Sequence, residues 1–390
     1  MIALAPTAEA APAAPAARRA AGYSVETTSD WALVSAGWTG AGTPFQEKPW
    51  LDAWYAALRE RPGLTPLLVT ARDAATGEVA VRLPLVLHGN GRRRSIGFAD
   101  LDLTDYNAPA LGPAAPRDAA GAAALWKAIR KALPRAYLVR LAKMPLTLRG
   151  RPNPLALLPK AQPCALNGNV VVTGEDWDGW RHSLEKTVRK ELERSWRVFS
   201  REPETSFEIV TDPARAQRIV DAMEHQQEIR MRAKGADYAL DDPDLARFYR
   251  TLIDRSLGSG DVLVSALMAG DDVVASLLGI RDAETYVMIR ISNASGRWSN
   301  CSPGRLIIER TMAALHAQGC RSFDFSIGNY DYKRRFGVTP IPLVDFTESL
   351  GLAGIPSTLR AAAAGGLRRH PELDRKVRGL VGRLLRRPHA

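Results

Sequence analysis

The stretch Arg321–Gly337, RSFDFSIGNYDYKRRFG, sets an acid inside a strand pattern and follows it with an acid, two tyrosines and three consecutive cations. Phe323, Phe325 and Ile327 alternate with polar residues, so Asp324 faces the side opposite the phenylalanines. Gly328-Asn329 breaks the strand, and Asp331, Tyr332 and Lys333 begin a short helical turn beside its end. A carboxylate, a phenol and an ammonium placed there could take a proton from an amine, stabilise a developing oxyanion and protonate a leaving thiolate. Those are the needs of acyl transfer. Asp324, Tyr332 and Lys333 are therefore the candidate catalytic residues. Arg334 and Arg335 are expected in solvent, with Phe336 in the core.

The second chemical feature is Ser302-Pro-Gly-Arg-Leu-Ile-Ile-Glu309. Ser302 is expected to cap a helix, with Pro303 in its first turn and Gly304 allowing close backbone approach. The unpaired N–H groups and partial positive charge of such a start suit a pyrophosphate, and the same pattern also describes a plain well-capped helix. Other signatures are missing from the sequence. There is no Gly-Lys-Ser/Thr phosphate loop, no His-Glu-x-x-His, no Gly-x-Ser-x-Gly, and no metal spacing among six histidines. Gly37-Trp-Thr-Gly-Ala-Gly42 follows no strand pattern and fails as a dinucleotide fingerprint. No metal is expected.

These residues need a scaffold, and the elements fall into two similar runs. The first has a helix within 44–58, strands at 64–71, 79–88 and 94–98, a helix at 119–133 and a strand at 137–141. The second has one long helix over 178–199, a strand at 207–210, and helices at 214–232 and 244–257. Three strands follow, at 262–268, 273–280 and 285–291. A helix at 305–318, the Phe323–Ile327 strand and a closing strand at 343–346 end that run. A length of 390 residues suits two domains, and the apolar and charged content is that of a globular chain.

The net charge of +11 is uneven: nine Lys/Arg against three acids lie from residue 346 onward. The body is therefore only mildly basic, which argues against nucleic-acid binding by the whole protein. Leucines, valines and arginines intermix in that tail, and an anionic membrane surface and plain solvation are equally open for it. Cys164, Cys301 and Cys320 form no disulfide framework, no apolar run reaches a membrane span, and residues 1–22 form an Ala/Pro-rich leader expected to be disordered. A cytoplasmic location is expected, and the membrane-surface reading of the tail would add peripheral contact at the inner face of the membrane.

Taken together, Ser302-Pro-Gly-Arg-Leu-x-x-Glu309, Phe323-Asp-Phe-x-x-Gly328 and Tyr332-Lys-Arg-Arg-Phe-Gly337 resemble the GNAT-superfamily domain of CelD/BcsL-type proteins. These are acetyltransferase-like proteins associated with cellulose or exopolysaccharide biosynthesis, with Fem-type peptidoglycan aminoacyltransferases as distant relatives. Pro44-Phe-Gln46, Trp50-Leu-x-x-Trp54, Leu83-Pro-Leu85, Asp105-Tyr106 and Asn153-Pro-Leu155 resemble the group's landmarks in the first half. The resemblance covers roughly residues 23 to 346. It implies an α/β (α+β) fold of two tandem GNAT-like domains, each a mixed, mostly antiparallel sheet flanked by helices. The expected bounds are 1–22 leader, 23–168 first domain, 169–346 acyltransferase domain and 347–390 basic helical tail.

The resemblance further implies an acyl-CoA donor on Ser302, Pro303, Gly304 and Arg305. The helix with Lys186, Arg189 and Lys190 would face an anionic substrate such as a glycan or its precursor, and Asp331 is a further substrate-binding candidate beside the cleft. One departure matters. The usual Arg/Gln-x-x-Gly-x-Gly/Ala signature is absent, since Asn300-Cys-Ser-Pro-Gly304 holds a single glycine. An aminoacyl-tRNA donor and a non-catalytic scaffold in a polysaccharide-synthesis complex therefore stand as alternatives to acyl-CoA transfer.

Overall fold

A computed structural model describes residues 22–282, 285–328, 330–369 and 372. The leader expected at 1–22 falls almost wholly outside these residues, as do Asn329 and most of the tail beyond Arg369.

The first half begins with β1 (Tyr23–Thr28), a short α1 (Trp31–Ser35) and α2 (Lys48–Leu58). Strands β2 (Leu64–Asp73), β3 (Val79–His88) and β4 (Ser95–Phe98) follow, then a two-residue β5 (Ala110–Leu111) and α3 (Ala119–Ala132). After β6 (Leu138–Pro145), a small hairpin of β7 (Thr147–Leu148) and β8 (Arg151–Pro152) leads into β9 (Ala161–Val172). The long helix expected at 178–199 is two helices, α4 (Trp177–Ser183) and α5 (Lys186–Phe199). The break is at Leu184, whose extended backbone (ψ 152°) lets its side chain enter the core.

The second half continues with β10 (Thr205–Val210), α6 (Pro213–Ala233), α7 (Pro243–Ser256) and β11 (Val262–Ala269). Next come β12 (Asp272–Arg281), β13 (Thr285–Asn293), α8 (Pro303–Ala317) and β14 (Ser322–Asp324). A single turn α9 (Asp331–Arg334), then β15 (Thr339–Ser349) and α10 (Ile355–Arg368), completes the described chain. The strand expected to reach Ile327 stops at Asp324, because Ser326 turns left-handed (φ +64°).

Among the described residues, thirteen strands form one continuous sheet in the order β1-β2-β3-β4-β6-β15-β9-β14-β13-β12-β11-β10, with β5 beside β3. Each half supplies an antiparallel set ending in one parallel pair, β4 with β6 and β13 with β14. The centre is exchanged. Strand β15, expected to close the second half, pairs antiparallel with β6 of the first. Strand β9, which leaves the first half and spans residue 168, pairs with β14 of the second. Strands β9 and β15 then pair with each other.

Three apolar clusters fill the two faces. One spans both halves: Trp50 and Trp54 of α2 join Phe248 and Leu252 of α7, with the Trp50 and Phe248 rings 4.8 Å apart edge to face. A second lies under α3. The third packs α5 and α8 on the second half's other face, and takes in Phe323, Phe325 and Phe336.

Candidate functional site

Asp324, the last residue of β14, lies on the face opposite Phe323 and Phe325, as the alternation expected. It is buried against the first half rather than exposed in an open cleft. The Tyr106 hydroxyl donates to Asp324 Oδ1 at 2.7 Å, and the Ser326 N–H donates to the same oxygen at 2.6 Å. The Ser326 hydroxyl donates to Asp105 Oδ2. Two carboxyls, one from each half, are thus joined through the backbone and side chain of one left-handed serine.

Both arms of the cluster are held by local geometry. On the first-half side, Leu101 and Asp102 adopt positive φ, and the loop closes around buried Lys143. The Lys143 ammonium donates to Thr104 O at 2.6 Å and pairs with Asp100 at 2.8 Å. Asn107 adds an N–H bond to Lys143 O and a side-chain bond to Asp100 Oδ2. On the second-half side, Asn169 of β9 donates through Nδ2 to Ser326 O (2.8 Å) and Gly328 O (3.0 Å). Gly168 is required next to it, since a Cβ there would sit 2.3 Å from the Tyr106 hydroxyl oxygen.

Lys333 reaches the cluster from α9. Its ammonium donates to Ile327 O at 2.6 Å and Ser326 O at 3.2 Å, and lies 5.3 Å from the Tyr330 ring centre. Burial pushes the Asp324 carboxyl up to about 7, only partly offset by the Tyr106 and Ser326 hydrogen bonds, and the Asp105 charge raises it further. Burial likewise lifts Asp105 to about 6, against the opposing pull of Ser326, Lys143 and Lys333. Desolvation lowers Lys333 to about 8, with both carboxylates pulling the other way. Tyr106 is held well above its ordinary range by burial and by Asp324, so its O–H remains a donor. Groups on both sides of neutrality therefore share one buried cluster, the setting proton transfer needs.

The other expected residues lie elsewhere. Tyr332 packs against the α5–α8 cluster and stacks on Tyr330 with centroids 6.0 Å apart; it is not drawn to Asp324. Its neighbour Asp331 is exposed and pairs with exposed Arg334. Arg335 is also exposed, and bonds Glu191 at 2.7 Å. Arg189 and Lys190 border a cavity of about 230 Å³ on α4 and α5, with Arg181 and Glu193. That helix pair is across the sheet from Asp324.

Ser302 does not cap α8. It occupies the N-cap position in a left-handed conformation (φ +47°) with no side-chain cap bond, and its hydroxyl accepts from Arg305 Nη2 at 3.0 Å. Arg305 is also bonded to Glu191 Oε2 at 2.5 Å. Pro303 is buried in the first turn. The close approach expected of Gly304 is present: a Cβ there would lie 3.0 Å from Asn293 Oδ1.

Strands β13 and β14 pair only over Thr285–Val287 and Ser322–Asp324 and then part, so among the described residues Met288–Asn293 has a strand partner on the β12 side alone. Side chains from α6 reach that edge: Gln227 donates to Ile291 O at 3.0 Å and Arg230 to Asn293 Oδ1 at 3.1 Å. Buried Arg290 lies over Tyr249 and bonds Gln227 and Tyr238. The parting thus begins at the Asp324–Val287 pair, and the α8 start lies beside the far end of β13, where Gly304 meets Asn293. Sequence reasoning assigned no role to Tyr106, Asp105, Ser326, Lys143 or Asn169. The signal for the first two was the Asp105-Tyr106 pair already quoted.

Residues 186–334 match the family model described as an acetyltransferase (GNAT) domain, a span that runs from α5 to α9 and includes Asp324 and Lys333. No curated protein matches the sequence. Among solved structures, the chain is similar to the crystal structure of FemX, with a TM-score of 0.55 at 11% identity over 83% of this chain and 97% of that one. It is similar to a conserved protein of unknown function from Bacteroides thetaiotaomicron, with TM-score 0.50, 11% identity, and coverage of 84% and 100%. A tandem GNAT protein from the clavulanic acid biosynthesis pathway follows at TM-score 0.47, 13% identity, and coverage of 84% and 99%. At these identities the first two likenesses show a shared fold.

Proposed function

We propose that the protein is an acyltransferase that uses an acyl-CoA thioester as donor and an amine or hydroxyl as acceptor. The observation that carries this reading is the Asp105–Ser326–Asp324–Tyr106 cluster with Lys333, assembled from both halves where β13 and β14 part. In that reading the acceptor attacks the thioester carbon directly. Its proton passes to the Asp105/Asp324 pair, which titrates near neutrality. Lys333 stabilises the oxyanion and supplies the proton that the leaving thiolate needs. Tyr106 fixes the orientation of Asp324, and Tyr332, expected as a catalytic donor, has no part.

For the donor, the edge of β13 beyond Val287, where side chains of α6 rather than a strand now meet it, could pair with the amides of an extended pantetheine chain, and the α8 start, Ser302 to Arg305, lies beyond its end. The acceptor class suggested by the sequence resemblance is a glycan or its precursor, in the cytoplasm. Calorimetric titration with acetyl-CoA, longer acyl-CoAs and free CoA tests the donor. Saturable binding that weakens when Gly304 is replaced by valine supports the reading, and no binding of any CoA species refutes it.

One observation favours a second reading. Arg305 is engaged by Glu191 and Ser302, which leaves less positive charge for a pyrophosphate. An aminoacyl ester on tRNA, the alternative donor, would need no such seat and would use the same base and oxyanion groups. Its binding would fall steeply with salt. A non-catalytic scaffold, by contrast, gains nothing from two carboxyls kept near neutrality in a buried cluster.

A further inference from the structure

Helix α10 presents an outward face with no part of the described chain packed on it. Leu352, in the turn before the helix, is 86% exposed, Ile355 44% and Leu359 65%. The spacing of these three puts them on one stripe, continued by exposed Ala362 and Ala363. The inner face is fixed: a Cβ on Gly365 would be 2.5 Å from Gln162 Cβ, and Arg368 donates to Pro163 O at 3.0 Å. An isolated surface leucine needs no explanation, but a row of three exposed aliphatic side chains along one helix and the turn before it does.

The rim of this face is cationic. No acid occurs from Leu350 to Arg369, whereas Arg360 and Arg369 are exposed. Beside the helix runs a groove of about 770 Å³ bordered by Arg140, Lys160 and Arg360. It adjoins a second of about 850 Å³ bordered by Lys127, Lys131 and Arg135, with Lys160 common to both. The two acids there are outnumbered by the cations, even with Lys160 paired to one of them. Glu348 accepts from Trp126 Nε1 at 2.6 Å and Lys160 at 3.1 Å, and Asp345 accepts from Lys143 N at 2.9 Å.

We propose that this face docks on a bilayer surface carrying anionic lipids. Leu352, Ile355 and Leu359 enter the boundary between headgroups and acyl chains, and the flanking cations meet the phosphates. Two other occupants fit less well. A second copy in a symmetric contact would bring the arginine rims together. RNA uses aromatic platforms, and residues 350–369 contain no Phe, Tyr or Trp. The sequence opened membrane contact for the basic tail at 347–390 as a whole; this surface narrows it to the Leu352–Leu359 face of α10 and adds cations from the body, Arg140 and Lys160.

The test is co-sedimentation of the full chain with vesicles of phosphatidylcholine alone and of phosphatidylcholine mixed with phosphatidylglycerol. The parent should bind the mixed vesicles only, less so as salt rises. Leu352→Ser with Leu359→Ser should weaken that binding at least about tenfold. Its melting temperature should not change, because both side chains are in solvent. Lys160→Glu with Arg360→Glu should independently lose the mixed vesicles. The proposal is overturned if the serine variant binds as tightly as the parent, which would leave the basic tail as the whole cause. It is also overturned if the parent binds neither vesicle, or is a lipid-free dimer that the serine variant converts to monomer.

Discussion

Replacing Asp324 with asparagine should abolish transfer and, at alkaline pH, make the protein more stable. The buried carboxyl titrates at about 7 in the folded protein, against 3.8 for an ordinary aspartate. Folding therefore favours its protonated form. The stability this confers is complete below about pH 4 and is lost as pH rises through 7. A rise of about 3 in pKa, at about 1.36 kcal/mol per pKa unit, corresponds to roughly 4 kcal/mol between those limits. Asparagine keeps the Oδ1 that accepts from Tyr106 and Ser326 and stays neutral at every pH. Its added N–H group introduces a cost of about 1–3 kcal/mol if unpaired, but that cost does not vary with pH. The decisive quantity is thus the difference in unfolding free energy, variant minus parent, measured by urea melts at about pH 5 and about pH 8. Because part of the stabilisation is already lost by pH 5, the difference should move in the variant's favour by roughly 2.5 kcal/mol between these two pH values. Parallel pH profiles for the two proteins would refute the reasoning, because the carboxyl would then not titrate differently on folding.

Three further expectations concern the same region. Gly168→Ala should displace the Tyr106 ring and destabilise the fold by about 1–3 kcal/mol, with turnover lost even where the protein remains folded; denaturant melts and a transfer assay check it. Lys333→Met removes the cation that lowers both carboxyl pKa values, so the acid limb of the pH–rate profile should move to higher pH and the maximal rate should fall. Glu191→Gln frees Arg305 and Arg335 from a shared carboxylate, and calorimetry should show several-fold tighter binding of CoA; unchanged affinity would argue that α8 does not seat the pyrophosphate.

The fold was legible wherever periodicity carries it. Alternation fixed Asp324 opposite Phe323 and Phe325, and the antiparallel strands and flanking helices appear close to their expected bounds. Strand β9 was not seen, because Pro163 and Gly168 interrupt a run whose pairing is decided by β14 and β15, more than 150 residues away. The same distance hid half of the site. Asp105 and Tyr106 meet Asp324 and Ser326 only through tertiary structure, and a polar loop at 102–107 carries no periodic signal. Tyr332 failed for a local reason: a single-turn helix sends adjacent side chains in different directions, so Lys333 turns in and Tyr332 packs on the other face.

The exchange of β9 and β15 has a consequence for the order of events during synthesis. When the ribosome has completed residue 145, β6 has its β4 partner but its other edge stays open until β15, about 200 residues later, is made. The nascent first half must therefore hold an unpaired strand edge through about half of translation, a template for pairing with another chain. Neither half is then a unit that can be excised. A fragment ending near 168 would keep the open edge of β6 and would carry β9 without either of its partners.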